Sequence, residues 1–115
     1  MAVGLIRRGD ILFVNFSPAR ESEANYTRPA VVLTNNAANA NNVVITVVPL
    51  TSNVERVYPF QLLLPHQRTG LNEDSKAQVE QIRSVALSRV LRRVGNVPAD
   101  LMLELDARVR EHLAL

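Results

Sequence analysis

The chain has 115 residues, of which 47% are apolar, and a formal net charge of +2 at neutral pH. This length and composition predict a single globular domain over residues 1–115 and exclude a disordered chain. The absence of cysteine excludes disulfides, thiolate catalysis and cysteine-bound metals. The longest apolar run is too short to span a bilayer and no hydrophobic segment follows Met1, so we expect a cytoplasmic protein that does not associate with membranes.

Arginine supplies almost all of the positive charge. Of the 13 basic residues only Lys76 is a lysine, and the segment 83–93 carries four arginines and no acidic residue. A guanidinium group offers a fork of donors that matches a phosphate, so this bias favours a nucleic-acid partner. A GC-rich coding bias, which also replaces lysine with arginine, stays open as the alternative explanation.

The first predicted strand covers residues 11–16. This segment is apolar on both faces, which is typical of a central strand. Pro18 ends it, and residues 17–27 then form a polar loop. The loop is too long for a tight hairpin turn, and loops of this length commonly carry functional residues.

The middle of the chain predicts an antiparallel hairpin. Two apolar runs rich in β-branched residues, 30–33 and 43–50, flank an asparagine-rich tract at residues 35–42. Two runs of β-branched residues separated by an asparagine-rich tract are typical of two strands joined by a turn. We therefore predict that residues 35–42 form a long turn.

The register of this hairpin decides which side chains meet at its open end. If the turn is centred between Asn39 and Ala40, the residue numbers of each facing pair add up to 79. Arg28 and Thr51 then lie directly opposite each other, with both side chains on one face of the sheet. A slip of one residue would place them on opposite faces.

The second half of the chain predicts shorter elements. We expect a strand at residues 60–64, between two prolines, and a loop at residues 66–74. The apolar spacing of residues 77–85 fits a helix or a strand, and their β-branched content favours a strand. A short helical turn at residues 86–91 and a last strand at residues 92–97 follow.

The C-terminal segment, residues 98–115, predicts an amphipathic helix. Pro98 and Asp100 suit its first turn. An apolar stripe, which should pack on the sheet, recurs every four residues at Leu101, Leu105, Val109 and Leu113. Five or six short strands with one closing helix predict a mainly β fold with a C-terminal helix, a small SH3-like β-barrel.

Several short motifs occur together in one order. They are Arg8-Gly9-Asp10-Ile11, Ser22-Glu23 before Arg28-Pro29-Ala30-Val31-Val32-Leu33, Val48-Pro49-Leu50-Thr51-Ser52, Gly70-Leu71 with Asp74-Ser75, and Gln78-Val79-Glu80-Gln81-Ile82-Arg83. In this order the chain resembles the MazF/PemK-type toxins of bacterial type II toxin–antitoxin modules, over nearly its whole length. The resemblance implies the small barrel that MazF shares with CcdB-type toxins.

The resemblance also implies an activity and partners. Such toxins are sequence-specific, metal-independent endoribonucleases that cleave single-stranded RNA, form homodimers and are inhibited by a MazE-like antitoxin. By position, Arg28 and Thr51 match the catalytic pair of the family. Further positions match residues that bind RNA, namely Ser22, Glu23, Ser52 and Gln81.

The chemistry of these residues suits metal-free cleavage, in which the 2′-OH of the RNA attacks the adjacent phosphorus and leaves a 2′,3′-cyclic phosphate and a 5′-OH. The guanidinium of Arg28 can hydrogen-bond the phosphate oxygens as negative charge develops, and Thr51 can donate its hydroxyl to the same group. Because free arginine rarely gives up a proton at neutral pH, neither residue is an obvious base. Glu23 is therefore the hypothetical base.

Each of these residues also has an ordinary structural explanation. Arg28 precedes a proline and could simply begin a strand with its head group in water. Thr51 and Ser52 on their own are typical of a turn, and Glu23 of a solvated loop. Gln81 could belong to a polar face of a sheet.

Two functions of other classes stay open. One is a non-catalytic, CcdB-like toxin that inhibits gyrase, since a shared barrel does not fix an activity. The other is an SH3-like module that binds nucleic acid without cleaving it. The pairing of Arg28 with Thr51 distinguishes the nuclease, because neither alternative needs these residues together.

We expect no cofactor and no metal site. His66 lies in a predicted loop and His112 on the closing helix. Neither has a second histidine or a cysteine at the spacing of metal ligands. A nuclease mechanism that uses two histidines is therefore not favoured.

Overall fold

The computed structural model describes residues 4–17, 27–41 and 43–115. In these ranges the strands are β1 (Asp10–Asn15), β2 (Thr27–Val32), β3 (Val44–Thr51), β4 (Leu62–Leu64), β5 (Ser75–Ala77), β6 (Arg83–Ala86) and β7 (Val90–Asn96). The helices are α1 (Asn36–Asn41), α2 (His66–Thr69) and α3 (Ala99–Leu113), and 3-10 turns cover Val79–Gln81 and Leu87–Arg89. The mainly β fold with a C-terminal helix is confirmed.

The strands form one antiparallel sheet in the order β4-β5-β3-β2-β1-β7, with β6 also paired to β3. Strand β1 lies between β2 and β7, as its apolar residues on both faces predicted. Ile11 packs in one apolar cluster and Leu12 in a second, and both are fully buried. The sheet therefore has a core on each face.

The predicted hairpin register is confirmed. The facing pairs of β2 and β3 are Ala30 with Pro49, Val31 with Val48, and Val32 with Val47. The asparagine tract, however, forms the short helix α1 and not the predicted turn. The side chain of Asn35 accepts a hydrogen bond of 2.8 Å from the N–H of Ala38 and thereby caps the start of this helix.

The predicted strand over residues 77–85 is wrong, because β5 and β6 are separated by the 79–81 turn. Both strands pair with the same edge of β3. Pro49 lies between the two pairings. Its carbonyl accepts a bond of 2.9 Å from the N–H of Gln78, but proline has no N–H to donate in return. The ladder is interrupted there, and the partner chain turns.

The closing helix α3 packs as predicted over its first turns. Leu101 and Leu105 are buried, and Val109 is partly buried against the same cluster, whereas Leu113 is 45% exposed. The apolar contact of the helix with the sheet therefore ends at Val109. None of the helices in the described ranges is long and apolar enough to cross a bilayer.

Three boundaries differ from the predictions. The strand predicted at residues 60–64 begins at Leu62, because a turn in which the N–H of Gln61 donates to the carbonyl of Tyr58 precedes it. The loop predicted at residues 66–74 contains helix α2, which ends at Gly70 with a φ of 85°. The helical turn predicted at residues 86–91 is the shorter 87–89 turn, so β7 begins earlier than predicted.

Candidate active site

The open end of the hairpin is a place where two paired strands separate. The pairing of β2 with β3 ends at Ala30 and Pro49. Beyond that point β2 stays paired with β1 and β3 pairs with β5. A cavity of about 630 Å³ lies at this end of the sheet, and residues from both strands line it.

Arg28 and Thr51 both line this cavity. Arg28 is half-buried on β2 and faces Val14 of β1, while Thr51 is half-buried at the end of β3. Ser52, the next residue along the chain, is exposed and also lines the cavity. The structure therefore brings together three of the residues that the sequence singled out.

The chain beyond Thr51 is held in a tight turn. The N–H of Asn53 donates to the hydroxyl oxygen of Thr51 at 3.3 Å, and the N–H of Glu55 donates to the side-chain oxygen of Asn53 at 3.3 Å. Such short-range bonds are typical of Thr and Asn in turns. Because the Thr51 oxygen already accepts a bond, its proton is available to donate to a ligand.

One wall of the cavity was not predicted from the sequence. Phe13 of β1 faces Pro29 of β2 on one side and Arg92 of β7 on the other. The guanidinium carbon of Arg92 lies 4.6 Å from the centre of the Phe13 ring, and both residues line the cavity. The sequence analysis identified the arginine-rich segment 83–93 but did not predict which of its residues would face Phe13.

The arginine run 83–93 does not form one basic patch. Arg83 lies over the Phe16 ring, with its guanidinium carbon 5.2 Å from the ring centre. Arg89 donates to the carbonyl of Asn15 at 3.1 Å, and Arg93 forms an ion pair with Asp10 at 3.0 Å. Among the arginines of this run, Arg92 is the one that lines the cavity.

A further part of the lining is the segment that follows α2, including Gly70, Asn72, Glu73 and Ser75. Glu73 is an exposed carboxylate that the sequence analysis did not single out. No motif or periodicity marked it. Its place follows from the fold of the α2 segment.

An ion pair and a hydrogen-bonded pair hold this segment in place. Arg68 of α2 forms a two-bond pair with Asp100 at the start of α3, with distances of 2.9 and 2.8 Å. The ring Nδ1 of His66 lies 2.7 Å from a carboxylate oxygen of Asp74, which also accepts the backbone N–H of His66. These bonds from His66 lower the pKa of Asp74, and the bonds from Arg68 lower the pKa of Asp100.

The remaining predicted residues are not at this cavity. Gln81 lies in the 79–81 turn, is half-buried and is not among the residues that line the cavity. Ser22 and Glu23 lie outside the described residues. In the described ranges, no group of three His, Asp or Glu side chains is arranged to hold a metal ion.

Comparison with known proteins identifies the family. Residues 7–113 match the model of the "PemK-like, MazF-like toxin of type II toxin-antitoxin system". The chain is 53% identical over 116 aligned positions to the endoribonuclease MazF9 of Mycobacterium tuberculosis, covering 96% of this chain and 98% of MazF9.

Solved structures give the same result. The crystal structure of MazF from Deinococcus radiodurans matches with a TM-score of 0.84 and 26% identity, covering 97% of this chain and 99% of that one. A MazE–MazF structure from the same organism matches with a TM-score of 0.75 and 24% identity, covering 97% and 98% of the two chains. The predicted MazF-like fold is therefore confirmed, and the chain belongs to the PemK-like, MazF-like family of type II toxins.

Proposed function

We propose that this protein is the toxin of a toxin–antitoxin module and an endoribonuclease that cleaves single-stranded RNA without a metal ion. The relationship to MazF9, an endoribonuclease, supports the enzyme class. The single observation that carries the proposal is the cavity that Arg28 and Thr51 line together where β2 and β3 separate. We also propose that the toxin acts in the cytoplasm, where it would meet such RNA.

Arg28 and Thr51 divide the work of stabilising the phosphate. The guanidinium of Arg28 donates to the oxygens that gain charge when the 2′-OH attacks, and one preorganised donor of this kind contributes about 2.7–4 kcal/mol. Thr51 donates its hydroxyl to the same phosphate, and Ser52 contacts the RNA beside it. The bond from phosphorus to the 5′-oxygen breaks, and the leaving oxygen takes a proton from solvent, which gives a 2′,3′-cyclic phosphate and a 5′-OH.

The base that takes the 2′-OH proton is a carboxylate. Glu23, which the sequence assigns to the loop before Arg28, is the first candidate. Glu73 is the second, because it lines the cavity that holds Arg28 and Thr51. A comparison of Glu23→Gln with Glu73→Gln separates them, since only loss of the base removes the acidic limb of the pH–rate profile. Ser22 and Gln81 are proposed to contact RNA outside the described cavity.

A gyrase inhibitor of the CcdB type is not favoured. Such a toxin acts without cleaving a phosphodiester and needs no arginine and threonine at one cavity. The relationship to MazF9 also counts against it. A binding module without activity is disfavoured for the same reasons.

An antitoxin and a second copy of this chain are the proposed protein partners. The MazE–MazF structure from Deinococcus radiodurans supports a MazE-like antitoxin. We propose that an acidic, apolar segment of the antitoxin covers the cavity and competes with RNA, and that the toxin is a homodimer. Simultaneous binding of RNA and antitoxin at one cavity would contradict the competition.

The test is cleavage of a transcriptome-scale RNA pool in EDTA, with the ends mapped. We expect cuts that carry 2′,3′-cyclic phosphate and 5′-OH ends, and we expect these cuts to fall below detection in Arg28→Ala and Thr51→Ala over the time in which the wild type cuts the pool. Arg110→Ala, which removes one charge from the exposed last turn of α3, is the matched control and should cut normally. An RNA pool that stays intact with the wild type would contradict the proposal.

A further inference from the structure

A second cavity adjoins the first along the chain. It has a volume of about 490 Å³ and is lined by Asn53, Glu55, Arg56, Tyr58 and Lys76. The chain passes into it directly from Thr51 and Ser52, which line the first cavity. A strand of RNA held at Thr51 therefore has a short path into the second cavity.

Three planar side chains form a cluster here, and two of them, Arg56 and Tyr58, line this cavity. The guanidinium carbon of Arg56 lies 4.6 Å from the centre of the Tyr58 ring. The rings of Tyr58 and Phe60 are stacked, with centres 5.4 Å apart and planes 10° from parallel. Tyr58 and Phe60 are 39% and 40% exposed, and Arg56 is exposed. We name these three residues the planar cluster.

The planar cluster is tied to the strand that carries Thr51. Lys76 of β5 faces Thr51 across the strand pair, so the two side chains share a face. Lys76 is buried, and its ammonium group donates to the carbonyl of Arg56. The only lysine of the chain therefore fixes the distance between the planar cluster and the proposed catalytic threonine.

The other end of the cluster is also held. The N–H of Tyr58 donates to the side-chain oxygen of the buried Gln61 at 3.1 Å, and the side-chain nitrogen of Gln61 donates to Glu80 at 2.8 Å. Arg108 of α3 donates to the carbonyl of Gln61 at 2.8 Å. A segment held at both ends loses little freedom when a ligand binds, which favours affinity.

The chemistry of the cluster fits a nucleobase. Proteins that bind single-stranded nucleic acid stack bases on aromatic rings and on arginine planes, next to cations that meet the phosphates. We propose that the planar cluster is a stacking subsite for a base of the RNA strand, at a nucleotide flanking the one that is cut. This inference rests on the proposed ribonuclease function and adds a contact that holds the RNA strand beside the cut.

The test measures binding separately from cleavage. An oligoribonucleotide from a mapped cut site, with a 2′-O-methyl group at the cut, binds without being cleaved, and 2-aminopurine is placed at each flanking position in turn. The chain has two tyrosines and no tryptophan, so the variant Tyr26→Phe leaves Tyr58 as its one fluorescent tyrosine. We expect RNA to quench this fluorescence, and one 2-aminopurine position to change its emission on binding.

Substitutions separate stacking from charge. We expect Arg56→Ala and Tyr58→Ala to raise the Kd for RNA about tenfold at fixed salt, as for the loss of one stacked base. Arg56→Lys should give nearly the same loss, because it keeps the charge but not the plane. Arg110→Ala, which removes the same charge elsewhere, should leave the Kd unchanged.

Several outcomes would overturn the inference. If Arg56→Lys bound RNA as tightly as the wild type, the charge at position 56 and not its planar shape would account for binding. If RNA left the fluorescence of Tyr58 unchanged, stacking of a base at the cluster would be excluded. An effect of Tyr58→Ala on antitoxin binding but not on RNA would assign the cluster to a protein partner. If the wild type binds and cleaves RNA and the variants of the planar cluster bind it equally well, the inference fails but the proposed function stands. If the wild type binds no RNA, the proposed function fails with it.

Discussion

Strand β3 carries a fully buried residue in its first half and a half-buried, cavity-lining residue in its second half. Val47, in the first half, is fully buried and is paired with Val32 on one edge and Arg83 on the other. Thr51, in the second half, is half-buried at a cavity and pairs with β5. Pro49 lies between the halves. A buried framework and a candidate catalytic group therefore share one strand, and Thr51 is held in place in part by residues such as Val47 that do not line the cavity.

The largest effect we expect is on the rate of RNA cleavage, from a substitution at the cavity. Arg28→Ala should lower the rate of single-turnover RNA cleavage about 10²- to 10³-fold, because a preorganised donor to the developing charge is lost. Arg28→Lys should recover only part of the rate, since a lysine lacks the two-pronged donor. Rates measured with mapped RNA substrates check this, and an Arg28→Ala protein within a few-fold of wild type would contradict it.

A substitution in the buried first half of β3 should instead lower the stability of the protein. Ile45→Ala removes a fully buried side chain from β3 and should lower the free energy of unfolding by about 2–5 kcal/mol. Thr51→Ala should cost less than about 1 kcal/mol, since it removes one long hydrogen bond at a half-buried site. Urea unfolding of both variants measures the contrast. Equal losses of stability would break the distinction between the two halves.

A third prediction concerns the wall of the cavity. A side chain at Gly95 of β7 would place its Cβ 2.2 Å from the carbonyl oxygen of Thr69 in α2. Gly95→Ala should therefore displace α2 and lower the free energy of unfolding by about 1–3 kcal/mol. It should also slow cleavage, because the residues after α2 line the cavity. A variant with unchanged stability and rate would show that α2 moves freely.

The smallest effect should come from the hydrogen-bonded pair of His66 and Asp74 at the end of this wall. Hydrogen bonds from His66 lower the pKa of Asp74 below its usual value. The stabilisation is thus fully present above the unfolded pKa of about 3.9 and is lost as pH falls through the lower, folded pKa. We expect Asp74→Asn to lower Tm at pH 7, with the difference from wild type vanishing in acid. A constant difference across this range would contradict the assignment.

The sequence predicted local pattern well and non-local contacts poorly. The turn centre between Asn39 and Ala40 predicted the pairing of Val31 with Val48, and the spacing of Leu101 and Leu105 predicted the buried face of α3. The break between β5 and β6 was missed because its cause, Pro49, lies on a different strand. The pattern of residues within one segment cannot show that a neighbouring strand lacks a hydrogen-bond donor.

The candidate site divides in the same way. Arg28, Thr51 and Ser52 were found because the hairpin register and short motifs placed them at one end of the sheet. Phe13 and Arg92 were missed, since their contact depends on how β7 is paired with β1 across a long separation in sequence. Gln81 was assigned to RNA binding by position in a motif, and it lies away from the described cavity.

The most direct test of the central claim is a double-mutant cycle on Arg28 and Thr51. If both residues act on one phosphate in the cavity where β2 and β3 separate, their effects on single-turnover cleavage are not additive. We predict that Arg28→Ala combined with Thr51→Ala cleaves RNA about as slowly as Arg28→Ala alone. A double variant whose loss equals the product of the two single losses would show that the residues act independently and would contradict the account.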